Sequence, residues 1–158
     1  PPMTPSAYNN NVQLIQTPQH VVIFNEMVHN ARVVPVSARP HGTVPQWNGD
    51  SRGRWEGDTF VVESKTFYAE TSFQNSGDTL HLTERFTLAD ANTLIYEYTV
   101  NDPKIWTKPW TVQVPMHRTH ELMYEYACHE HNYGMENLLK GARFLEKEGM
   151  ATTKTSSR

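Results

Sequence analysis

Residues 80–100 alternate apolar and polar side chains on both sides of a short turn, and this pattern restricts the fold more than any other. Leu80, Leu82, Phe86 and Leu88 alternate with His81, Thr83, Arg85 and Thr87. After the turn ADANT, Leu94, Tyr96, Tyr98 and Val100 alternate with Ile95, Glu97 and Thr99. A period of two is that of a half-buried strand, and two such runs around a turn make a hairpin. Requiring the apolar faces to coincide fixes the register. Leu88 then lies opposite Leu94, Phe86 opposite Tyr96, and Glu84 opposite Tyr98. Arg85 falls beside Glu97 on the polar face.

The same alternation predicts a second hairpin. Trp110, Val112, Val114 and Met116 would face Cys128, Tyr126, Tyr124 and Leu122 across the loop HRTHE. Upstream, Val12–Gln16, His20–Val28 and Arg32–Val36 read as strands, with Pro35 confining the third to an edge or bulge. Residues 37–51 are dense in Gly, Pro, Asn and Asp and read as loop. A short strand from Gly53, a Gly57-Asp58 turn and a longer strand Thr59–Lys65 follow. Met135, Leu138, Leu139, Ala142 and Leu145 fall at helical spacing, so a helix over 135–148 is expected to bury them. Asn132 is a plausible cap and Gly149 a stop.

At 158 residues the chain is read as a single domain. It comprises an extended arm (1–11), an antiparallel β body (12–131), the helix (135–148) and a polar tail (150–158). The expected fold is mostly β: an antiparallel curled sheet or small barrel, lipocalin-like in outline, with one C-terminal helix. The opening Gly53-Arg54-Trp55 is similar to lipocalin-like barrels, where a Trp plugs one end. The formal net charge of -3, with no basic run, argues against nucleic acid as a partner. No apolar stretch reaches the ~20 residues of a membrane helix. One cysteine excludes an internal disulfide framework.

Taken together, DSRGRWEGDTFVVES (50–64), LTERF (82–86), YEYTVNDPKIWTKPWT (96–111) and YEYACHEHNYGM (124–135) resemble a domain family found in uncharacterised exported proteins of soil bacteria. The resemblance implies a bacterial source and a periplasmic or extracellular location. It also implies that the chain is the C-terminal part of a longer precursor, as does its start at Pro1-Pro2. That family has no established activity, so no residue role comes with it.

Candidate chemistry gathers at two places. Glu84 interrupts an apolar face; there it is either an acid–base group of raised pKa or the partner of a structural ion pair or hydrogen bond with Tyr98 or an arginine such as Arg54. His129 and His131 share one face of an extended chain and could hold a divalent transition metal, though two imidazoles make an incomplete site. The plainer reading of that pair is two solvated histidines. Cys128 reads as a small buried residue, and a Cys128–His129 nucleophile is disfavoured because adjacent strand residues diverge.

Three functional readings follow. The first is a non-catalytic small-ligand-binding module whose aromatic cavity is lined by Phe86, Tyr96, Tyr98, Trp110, Tyr124 and Tyr126. The second is a lyase, isomerase or hydrolase using Glu84 or a metal at His129/His131. The third is a self-assembling homo-oligomer joined through its N-terminal arm.

Overall fold

The computed structural model describes residues 3–4, 10–70, 73–124 and 133–147. The chain divides into two compact units, Pro1–Glu125 and Tyr126–Arg158. In the first, the strands β1 (Val12–Gln16), β2 (His20–Asn25) and β3 (Asn30–Pro35) form an antiparallel sheet in the order β1-β2-β3. The strands β4 (Asp50–Glu56), β5 (Thr59–Lys65), β6 (His81–Asp90), β7 (Thr93–Asn101) and β8 (Trp110–His117) form a five-stranded antiparallel meander in chain order. In the second unit, α1 spans Tyr133–Lys147.

The strand alternation sets the faces. Leu82, Glu84 and Phe86 of β6 share one face with Val62 and Phe60 of β5 and with Tyr98 and Tyr96 of β7. Val21 and Ile23 of β2 and Val34 of β3 join these residues in one buried cluster, so the inner faces of the two sheets share a core. The sheets meet at a corner where Val36 bridges Gly53 in parallel and the Ser37 N–H donates to the Gly53 carbonyl at 3.1 Å. Glycine is required there: a Cβ on residue 53 would fall 2.5 Å from the Phe60 ring and 3.1 Å from the Val34 side chain. Gly57, at φ 60°, makes the β4–β5 turn.

The hairpin register read from alternation holds at every pair: Leu88 with Leu94, Phe86 with Tyr96, Arg85 with Glu97 and Glu84 with Tyr98. β1 and β5 have the expected bounds. β3 is an edge strand, as Pro35 demands.

Of the two expected forms, curled sheet and small barrel, the chain takes the first: the described strands do not close into a barrel. Three expectations are corrected. Trp55 plugs nothing; it is 47% exposed and packs against Phe60 at 5.1 Å between ring centroids. The second hairpin does not form across its described residues. β8 continues the meander by pairing with β7, while Leu122 and Tyr124 lie in no strand and the Tyr124 N–H donates to Glu26 Oε1 at 2.9 Å. Alternation names the face a strand buries but not the neighbour that pairs with it. Finally, the helix forms, with a Lys140–Glu136 ion pair at 2.5 Å along it, but none of its residues is buried. Leu138 is 68% exposed and Leu139 47%. Spacing shows which residues share a stripe, not what covers it. Among the described residues, no helix is long and apolar enough to cross a membrane.

Candidate ligand cleft and the buried pair on its wall

Glu84 is completely buried, and its charge is fully engaged. Arg32, from β3 in the other sheet, grips it in bidentate fashion: Nη1 donates to Oε2 at 2.6 Å and Nη2 to Oε1 at 2.8 Å. The Tyr96 hydroxyl donates to Oε1 at 2.8 Å, and the same hydroxyl accepts the Met3 N–H at 3.1 Å. The planar guanidinium suits this two-point grip in a way an ammonium would not. Burial works against the charge on Arg32, but Glu84 outweighs it and holds the guanidinium's pKa above its ordinary value. Burial first, then the charge of Glu84, pushes the Tyr96 hydroxyl far above the usual range, so it remains a donor. The chain therefore ties its two sheets with a closed, satisfied network.

The structural alternative expected for Glu84, a pair with an arginine, is the one that forms, but the arginine is Arg32 and the tyrosine is Tyr96. Arg54 lies on the outer face, bonded to Glu56 and Glu63. Tyr98 is the cross-strand neighbour of Glu84, but the hydroxyl that reaches the carboxylate is that of Tyr96. Burial raises the pKa of Tyr98.

Of the predicted aromatic residues, Phe86, Tyr96, Tyr98 and Trp110 form a ladder through the core, and of these four Phe86 alone also lines the cleft described below. Ring centroids step from Phe60 to Phe86 (6.3 Å), Phe86 to Tyr96 (5.1 Å), Tyr96 to Tyr98 (5.6 Å) and Tyr98 to Trp110 (6.0 Å). Tyr96 is fully buried, Phe86 and Tyr98 nearly so, and Tyr124 is 64% exposed. Tyr126, Cys128, His129 and His131 lie outside the described residues. Among those described, no group of three or more His, Cys, Asp or Glu side chains could hold a metal ion.

A cleft of about 1160 Å³ opens beside the pair, between β1–β3 and the ends of β6–β8. Leu14, Phe86, Leu94, Val114 and Met116 give it apolar walls, and Arg32 contributes to the lining. Six asparagines among the described residues also line it. Two of them, Asn30 and Asn48, clasp each other through reciprocal amide bonds at 3.3 and 3.0 Å. A third, Asn25, has its Oδ1 buried with no hydrogen-bond partner among the described residues. A buried orphan acceptor is costly, and a ligand donor would relieve it.

Sequence reasoning missed this cleft because its walls come from segments far apart in the chain, β1–β3 and the ends of β6–β8. It also missed His41 and Asp50, which were read as loop. In the structure, the His41 Nδ1–H donates to the Asp50 carbonyl at 2.8 Å, and the Asp50 carboxylate accepts from Arg52 and from the Gly42 N–H. The crowding of charged residues among glycines over 50–54 was the available signal.

No family model, curated protein or solved structure matches the chain.

Proposed function

We propose that this chain is a non-catalytic small-ligand-binding module, and that it belongs to an exported bacterial protein as its motif resemblance implies. The cleft of about 1160 Å³ carries the reading: its walls are largely apolar, and asparagine side chains, Asn25 among them, add polar groups to the lining. Pockets for organic ligands are typically about 300–1,000 Å³, apolar, with a few fixed polar groups. The ligand class that fits is a modest organic molecule with an apolar body and polar groups for the asparagine amides of the lining. Glu84 supports binding over catalysis, because the carboxylate is fully buried and gripped by Arg32 and Tyr96, which keeps it from a substrate. The described part of the N-terminal arm bonds to its own chain through Met3 and Tyr96, which favours ligand binding over self-assembly.

The test is a fluorescence titration with the neutral apolar probe N-phenylnaphthylamine, beside native mass spectrometry of the purified protein. Saturable binding to the parent, lost when Val114→Trp fills the cleft, is the expected result. Absence of binding, or binding indifferent to Val114→Trp in a folded variant, overturns the proposal.

A further inference from the structure

A second, smaller groove lies on the other side of the sheet corner, between segment 36–41 and β4. Its volume is about 410 Å³, near the lower end of ligand-sized pockets. Arg39, Arg52, Arg54 and His41 line it, with Glu63 the single carboxylate and Trp55 the aromatic surface. The chain as a whole is acidic, at -3, so this concentration of cationic side chains runs against its average.

The commitments of these groups differ. Arg54 is taken up by Glu56 and Glu63, each at 2.8 Å. Arg52 is held by Asp50 and the Ser51 carbonyl. Arg39 is exposed, and its guanidinium has no ion-pair or hydrogen-bond partner among the described residues. His41 is fixed in one orientation. A carbonyl only accepts, so the bond from Nδ1 to the Asp50 carbonyl places a proton on Nδ1, and in the neutral ring Nε2 is then an acceptor. The Asp50 carboxylate, 3.4 Å from Nδ1 and filled by Arg52 and Gly42, supports the ring from behind. Trp55, 47% exposed, offers a flat apolar surface beside these polar groups.

We propose that this groove binds a small oxyanion that also carries a hydroxyl, either a hydroxy-substituted carboxylate or a hydrogen phosphate. Arg39 takes the anionic oxygens in bidentate fashion, and His41 Nε2 accepts a hydrogen bond from the hydroxyl. Trp55 covers the apolar part of the molecule. The site is separate from the asparagine-lined cleft and shares no lining residue with it.

The test is an NMR titration of the histidine ring signals at constant ionic strength and pH, with para-hydroxybenzoate in one arm and inorganic phosphate in the other. The signals of His41 are assigned by their disappearance in His41→Gln. The result expected is a saturable shift of the His41 signals in at least one arm, the responding arm naming the carboxylate or the phosphate. Arg39→Ala should weaken that binding by at least about tenfold, the loss that follows from removing a hydrogen-bonding charge. The Arg39 guanidinium makes no hydrogen bond or ion pair among the described residues, so the variant should unfold with the parent. A shift that does not saturate in either arm overturns the proposal, as does binding of equal strength in Arg39→Ala.

Discussion

The two faces of the five-stranded sheet carry the same kinds of ion pair and use them differently. On the inner face, Glu84 is wholly buried and held by Arg32 and Tyr96. On the outer face, Arg54, Glu56, Arg85 and Glu63 form an exposed chain, with Arg85 donating to Glu56 at 2.9 Å and Arg54 to Glu63 at 2.8 Å. The inner pair joins strands from two sheets that are 52 residues apart in sequence. The outer chain joins β4, β5 and β6 of a single sheet. Desolvation separates the two: a buried charge that loses its partner cannot turn to water, whereas an exposed one can. The inner pair is thus an obligatory tie, and the outer chain a dispensable surface covering.

The largest effect should come from removing one member of the tie. Arg32→Met leaves Glu84 buried and without its cation, and should cost about 3–5 kcal/mol in urea unfolding. A loss near zero would place the inner pair in the same class as the outer chain. Tyr96→Phe should cost less, about 1.5–3 kcal/mol, since it removes one hydrogen bond to a charged group and keeps the ring in the aromatic ladder. The Met3 N–H loses its acceptor in the same variant, so the arm's amide should exchange faster.

How much of this contrast could be read from sequence depends on the separation of the groups. The β6–β7 register followed from the apolar alternation of residues 80–88 and 94–100, because an error of one residue would turn Phe86 and Tyr96 to solvent. The same alternation marked Glu84 as buried. It could not identify Arg32, since nothing local in RVVPV records which distant strand its inward side chain meets. The choice of Tyr96 over Tyr98 also lay beyond it: cross-strand pairing gives the nearest Cα, while a long side chain reaches its diagonal neighbour. Arg85 shows the same limit outside. It lies beside Glu97 by register but bonds to Glu56, two strands away. The strand of β8 was legible in WTVQVPM and its partner was not, and the cleft, made of several non-local walls, left no trace in any single segment.

Two smaller effects belong to the outer face. Burial first, then the charges of Lys65 and His41, lowers the pKa of His81 below its ordinary 6.5. The unfolded chain therefore binds the proton more readily. The contribution of His81 to stability is complete above pH 6.5 and is lost as pH falls through the lower folded-state value. His81→Gln should flatten the slope of unfolding free energy against pH below 6.5; an unchanged slope would assign the dependence elsewhere. Arg85→Ala should change the urea midpoint least of all. Whatever change it produces should vanish in molar salt, since exposed charges are screened there and the buried pair is not.

The most direct measurement is a double-mutant cycle across the tie, with Arg32→Met, Glu84→Leu and the two combined, followed by urea unfolding. Each single variant should be strongly destabilised, and the double variant should recover most of the loss, because two apolar side chains of similar size leave no stranded charge. If instead Glu84→Leu alone is as stable as the parent, or the two losses simply add, then Glu84 is not held by Arg32. The carboxylate would then be free for a ligand or for proton transfer, contradicting the assignment of this pair to structure and of the neighbouring cleft to binding alone.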